Sequence, residues 1–153
     1  MQEDQLSGPP LLGLLLRLLH QYWYENVDAA LRAVGFGDIR SAHANVFAFV
    51  PPGGIRVSEL AQLSHVRKQR MAQLVADLER LGYVKRVPDM RDRRAQLVVL
   101  TARGHAVRAV GAAAGRRVEE DWAVLTSPEM IEMLRTSLQR LLTELENREY
   151  LRF

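Results

Sequence analysis

The stretch Arg67-Lys68-Gln69-Arg70-Met71-Ala72-Gln73-Leu74-Val75-Ala76-Asp77-Leu78-Glu79-Arg80-Leu81-Gly82, followed by Tyr83-Val84-Lys85-Arg86-Val87 and, after an arginine-rich turn, Ala95-Gln96-Leu97-Val98-Val99-Leu100, decides the fold. Met71, Leu74, Val75, Leu78 and Leu81 recur at spacings of three and four, which at about 100° per residue gathers them into one apolar stripe. Gly82 stands where a left-handed terminator belongs, so the spacing predicts a helix over 67–81. The two β-type runs are joined by Pro88-Asp89-Met90-Arg91-Asp92-Arg93-Arg94, and this predicts a hairpin with a charged tip of seven residues.

Working upstream, Ser58 is a candidate cap for a helix through about His65, with Leu60 and Leu63 turned inward. Two helices separated by a tight turn make a helix-turn-helix. Ile55-Arg56-Val57 is a short extended piece, and Pro51-Pro52-Gly53-Gly54 stops an earlier helix that carries Ala42, His43, Val46, Phe47 and Val50, with Asp38 as its expected cap. Before it, Leu11, Leu15, Leu18, Leu19, Tyr22, Trp23, Val27, Ala30, Leu31 and Val34 predict a long helix ending at Gly35 and Gly37. Downstream, Thr101 caps another long helix, and Ser127-Pro128 opens the last, whose Ile131, Leu134, Leu138, Leu141 and Leu145 form a seam suited to pairing. The first helix is leucine on almost every face, more than one neighbour needs, and a homodimer contact explains the excess.

The polar side of the 67–81 helix carries Gln69, Ala72, Gln73, Ala76 and Arg80, with Arg67, Lys68 and Arg70 flanking its first turn. Glutamine amides make bidentate contacts to adenine, alanine meets a thymine methyl, and short side chains let a helix sit deep in a major groove. Arg91, Arg93 and Arg94 on a narrow β-ribbon suit a minor groove, where negative potential is enhanced. Exposed acids there would repel phosphate, so one of Asp89 and Asp92, in the first instance Asp92, is assigned to bracing an arginine of the tip. The bland alternatives are a solvated helix face and a solvated charged turn.

The charge distribution favours the DNA reading. The 153 residues carry a formal charge of only +3, yet residues 56–117 hold 14 basic and 5 acidic side chains while both flanks are net negative. A cationic block confined to the middle of a balanced chain points to a polyanion met by a defined surface. With no cysteine, disulfide scaffolds, thiolate metal sites and cysteine nucleophiles are excluded. His20, His43, His65 and His105 lack i+4 partners, so no metal or other cofactor is expected, a zinc shared across a dimer being the remaining metal alternative. No phosphate-binding glycine loop, nucleophile elbow or paired-carboxylate signature stands out, and an enzyme is not expected. Leu11 to Leu19 is too short to span a bilayer, and Glu3 and Asp4 precede it instead of a basic region, so the expectation is a cytoplasmic, nucleoid-associated protein without a membrane partner.

The segments Val57-Ser58-Glu59-Leu60-Ala61, Lys68 to Leu74, Leu78-Glu79-Arg80-Leu81-Gly82-Tyr83-Val84, and Asp89-Met90-Arg91-Asp92-Arg93-Arg94 with Leu100-Thr101 and Gly104 resemble the winged helix-turn-helix of the MarR family of bacterial transcription regulators. The wing motif is the most specific part, and the flanking helices extend the likeness over nearly the whole chain. The resemblance implies a fold that is mainly α with a small β-hairpin wing, as one domain over 1–153: dimerisation helices at 11–35 and 101–147 around a DNA-binding lobe at 38–100. It implies a homodimer on a pseudo-palindromic operator in double-stranded DNA, a repressor released by a small molecule. Carried over residue by residue, Arg67, Lys68, Gln69, Arg70 and Gln73 fall to the recognition helix and Arg91, Arg93 and Arg94 to the wing. The family often has Ser or Thr where Arg67 stands, which leaves Ser64 as the substitute cap.

Effectors of the family sit between dimerisation helices and DNA-binding lobe. His20, Tyr24, His43 and Phe47, with Tyr22 and Trp23 nearby, are the residues here that suit a small aromatic or phenolic effector; the alternative is that these aromatics are core and interface. A methyltransferase's winged-helix module would need a nucleotide-binding domain for which there is no room. The rival of a different class is a winged-helix protein-interaction module, or an architectural protein gripping DNA without reading it.

Overall fold

The computed structural model describes residues 9–148. Glu3, Asp4 and the outer ends of the 1–153 domain lie outside the described residues. The order is α1 (Leu12–Ala33), a 3₁₀ turn (Ser41–His43), α2 (Ala44–Phe49), α3 (Val57–Leu63), α4 (Lys68–Arg80), β1 (Val84–Pro88), β2 (Gln96–Leu100), α5 (Ala102–Leu125) and α6 (Pro128–Asn147). It is a mainly helical winged helix with one antiparallel hairpin, as the sequence predicts.

Local chemistry explains most boundaries. At the end of α4, Gly82 takes φ +81°, Tyr83 N–H donates to Leu78 O and Gly82 N–H to Glu79 O, the paired bonds of a left-handed helix terminator. Thr101 Oγ1 accepts from Gly104 N–H at 3.2 Å and Ser127 Oγ from Met130 N–H at 3.1 Å, so both predicted caps of the long helices form. The hairpin pairs Val84 with Leu100 through Pro88 with Gln96, leaving 89–95 as the tip. Ile55 adds a single bridge to Val98, with N–H···O distances of 3.1 and 2.8 Å in the two directions, which ties the wing to the start of α3.

Three predicted caps are corrected. Asp38 accepts from the Tyr83 hydroxyl and from Arg103 Nη2 instead of capping the second helix. That helix is preceded by the 3₁₀ turn, where His43 Nδ1 accepts the Arg40 N–H at 3.2 Å. Ser58 lies inside α3, whose N-cap is Arg56, its N–H bound to Glu59 Oε2 at 3.2 Å. Ser64 does not replace the missing cap of α4, because its hydroxyl donates backward to Leu60 O.

The core centres on the lobe, and Val27 and Leu31 of α1 and Val107 of α5 join it. Leu60, Met71, Val75, Leu78, Tyr83 and Val46 are completely or almost completely enclosed, and Phe36 and Phe47 set their edges against the Tyr83 ring. Gly104 is obligatory: a Cβ there would lie 2.1 Å from Tyr83 O, so this glycine lets α5 start against β1. At Gly115 a Cβ would meet Trp23 Cζ2 at 2.7 Å, and this is what brings α1 and α5 together.

Candidate nucleic-acid interface and its ligand cavity

The stripe Met71, Leu74, Val75 and Leu78 is buried, which turns the rest of α4 outward. Arg67, Lys68, Gln69, Arg70 and Gln73 are all exposed, and so are Arg91, Arg93 and Arg94 on the tip. The structure therefore presents every residue assigned to DNA on an accessible surface, in two groups borne by α4 and by the hairpin that follows it. Among the described residues, the cations of these groups, Arg67, Lys68, Arg70, Arg91, Arg93 and Arg94, form no ion pair with a carboxylate. Elsewhere Arg32, Arg40, Arg80, Arg86 and Arg103 each hold one, and Arg56 and Arg135 hold two. Arg80, expected on the outer face, is drawn to Asp77 at 3.4 Å.

The wing is shaped by its acids, in a different way from the expectation. Asp89, not Asp92, is the buried acid, and its partner is Arg56 at the start of α3, not an arginine of the tip. Arg56 Nη2 and Nε approach Asp89 Oδ2 at 2.6 and 3.0 Å, while Asp92 stands 3.6 Å from the same guanidinium. Asp89 Oδ1 also accepts the Arg91 N–H at 2.9 Å, and Asp92 Oδ1 that of Arg94 at 3.1 Å. Both acids thus fold the turn and leave the guanidiniums of Arg91, Arg93 and Arg94 unneutralised. The hydrogen bond from Arg56, then that from the Arg91 amide, holds the Asp89 carboxyl below its ordinary range. Arg56 is legible in retrospect: a residue three before Glu59 at a helix start is a capping-box position.

Between α1, α2 and α5 lies a cavity of about 300 Å³ lined by Trp23, Tyr24, Ile39, Phe47, Val107 and Gly111 among others. Of the four residues expected to line an effector site, Tyr24 and Phe47 do so. His20 and His43 do not. His20 is exposed and stacks on Trp23, with ring centroids 6.2 Å apart. His43 is wholly buried in the lobe, its Nδ1 occupied by the Arg40 N–H and its Nε2 without a hydrogen-bond partner among the described residues. Burial, followed by the charge of Arg40, lowers its pKa and keeps the ring neutral. Sequence reasoning also missed Arg40, Arg108 and Arg116 among the lining residues, because helical periodicity gives no sign of which polar residues border a gap between elements. Burial raises the Tyr24 hydroxyl pKa above its ordinary 10.0, so it stays a neutral phenol.

Residues 39–95 match the MarR family. A 77-residue stretch is 35% identical to the transcriptional activatory protein BadR of Rhodopseudomonas palustris, covering 50% of this chain and 36% of that protein, so the match spans about a third of the relative's length. Streptococcus pneumoniae FabT in complex with DNA is similar in fold at a TM-score of 0.70 and 23% identity, over 88% of this chain and 94% of that one. Wild-type MarR from E. coli in its apo form is similar at a TM-score of 0.69 and 22% identity, over 88% and 99%. Among the described residues no helix is long and apolar enough to cross a membrane. The lobe thus matches the MarR family over residues 39–95, and nearly the whole chain shares its fold with E. coli MarR.

Proposed function

We propose that the chain forms a homodimer through helices 11–35 and 101–147 of a single domain and reads a pseudo-palindromic operator with the lobes at 38–100. The observation that carries this reading is the set of cations on α4 and the wing that pair with no carboxylate among the described residues, flanking the exposed amides of Gln69 and Gln73. Each protomer places α4 in a major groove, where Gln69 and Gln73 reach base edges and Arg67, Lys68 and Arg70 hold phosphates. Arg91, Arg93 and Arg94 enter the adjacent minor groove. Two such helices about 34 Å apart meet successive turns of the duplex, so half-site spacing is fixed by the dimer. The structure of FabT, which shares this fold, is a complex with DNA, and this supports DNA as the partner.

A small aromatic or phenolic effector occupies the cavity through Tyr24 and Phe47 and releases the operator by preferring a dimer with a different lobe separation. The dimer then acts as a repressor where its operator overlaps a promoter. The R. palustris relative is named an activatory protein, and the sign of control in this reading follows from where the operator lies. Selection of the purified chain against a random duplex library at about 150 mM salt, with footprinting of the winner, tests the proposal. A two-fold symmetric site with half-sites one turn apart is expected. Salt-sensitive binding with no enriched motif would favour the architectural alternative, and no DNA binding the protein-interaction module.

A further inference from the structure

The wing tip is built as two successive turns, each opened by an aspartate. Asp92 N–H donates to Asp89 O at 3.2 Å and Ala95 N–H to Asp92 O at 2.9 Å, while Asp89 Oδ1 and Asp92 Oδ1 accept from the amides of Arg91 and Arg94. The corner position after each aspartate carries Met90 in the first turn and Arg93 in the second. The two seats have the same hydrogen-bond pattern, and their side chains are opposite in kind. Met90 is 86% exposed, whereas Met71 in the core of the lobe is fully enclosed. Most other exposed apolar side chains stand on α1, α5 and α6, which the dimer reading covers. Met90 stands instead among Arg91, Arg93 and Arg94 on the surface assigned to DNA, at a turn corner that asks for no apolar side chain.

An apolar side chain on a surface that enters a minor groove can act as a wedge, parting two stacked base pairs and kinking the duplex toward the major groove. A wedge has to be slender, apolar and mounted on a support that resists being pushed back. Methionine is unbranched and adapts its shape to the gap it enters. Its support is Asp89, whose carboxylate is held by Arg56 Nη2 at 2.6 Å, so the turn is anchored to the start of α3. The neighbouring guanidiniums, which pair with no carboxylate among the described residues, draw the tip onto the phosphates. We infer that Met90 is a wedge that the wing drives between base pairs of the minor groove next to each half-site, kinking the operator there. This rests on the DNA reading given above and adds a source of specificity that uses no hydrogen bond to a base. Burying one methionine side chain recovers free energy of the same order as parting one base step costs. Insertion therefore succeeds at the steps that open most easily, the pyrimidine–purine steps TA and CA.

The test uses the full chain and the selected operator, synthesised with TA or with AA at the base steps flanking each half-site. Energy transfer between dyes at the duplex ends reads bending, and fluorescence anisotropy reads affinity. The wild type brings the ends of the TA duplex closer and binds it about five- to tenfold tighter than the AA duplex. In Met90→Ala that ratio falls close to one and the kink is lost, while base preference at the position read by Gln73 is kept. Met90→Leu, apolar and of similar size, keeps both the ratio and the kink. Because Met90 is almost fully exposed, neither variant disturbs the lobe. Arginines alone would favour the narrow groove of the AA duplex. A wild type that binds AA as tightly as TA or tighter, or that leaves the TA duplex straight, therefore overturns the wedge alone, as does an undiminished ratio and kink in Met90→Ala. Selection that enriches no operator overturns the DNA reading and the wedge with it.

Discussion

The lobe and the outer helices spend the same residue types in opposite ways. In the lobe Leu60 and Leu78 are completely enclosed, while every leucine between 11 and 19 is more than a third exposed and α6 has no buried residue at all along its 20 positions. Val124, Leu125, Met133, Leu141 and Leu142 extend the exposed apolar surface. A face of this kind is rare on a monomer and ordinary at an interface. The lobe is complete within one chain, whereas α1 and α6 become complete, on the dimer reading, only against a second copy.

The largest expected effect breaks the lobe itself. Leu78→Ala removes a fully enclosed side chain and costs about 2–5 kcal/mol, read as a shift of the urea midpoint at unchanged slope. Next, Leu15→Asp combined with Leu141→Asp converts the dimer to monomer in sedimentation, while the lobe keeps its near-ultraviolet signature. Operator affinity then falls at least about a hundredfold toward the non-specific level. A dimer that survives both charges would place the interface elsewhere.

Within the lobe the two groups proposed to face DNA separate by kind of loss. Gln73→Ala costs about 1–3 kcal/mol and relaxes base preference at one position per half-site, whereas Arg94→Ala weakens all sequences and flattens the salt slope. Uniform weakening by both would break that division of labour.

The smallest effects are titrations. Asp89, held below its ordinary 3.8 by Arg56, binds protons more weakly folded than unfolded, so its contribution is full above pH 3.8 and is lost as pH falls through the folded value. His43, held neutral with a pKa below 6.5, makes stability fall as pH drops below 6.5, where the unfolded chain takes up a proton that the folded chain refuses. Chemical denaturation across pH shows the first slope vanishing in Asp89→Asn and the second in His43→Gln.

The features legible from sequence are those whose partners lie within one helical turn. The α4 stripe, the Gly82 terminator and the caps at Thr101 and Ser127 each depend on neighbours three to five residues away. Asp38, Ser58 and Ser64 have equal standing as local caps and fail for separate reasons: Ser58 falls inside α3, Ser64 turns back to Leu60 O, and Asp38 takes the stronger partners that the fold offers. For Asp38 these are Tyr83 and Arg103, far along the chain. The wing shows the same limit: its arginines were readable as a cluster, but the brace that leaves them unneutralised comes from Arg56, 33 positions before Asp89. Tyr24 and Phe47 reached the cavity, while His43, on the same short segment as Phe47, turned into the core instead.

The central claim is that two copies of α4 read DNA at a separation fixed by the dimer, and a spacing series on the selected operator tests it most directly. Inserting about 5 base pairs between half-sites rotates one recognition helix to the opposite face of the duplex. The predicted result is loss of footprint on one half-site and affinity near the non-specific level. Equal affinity and an intact footprint at every spacing would contradict the account.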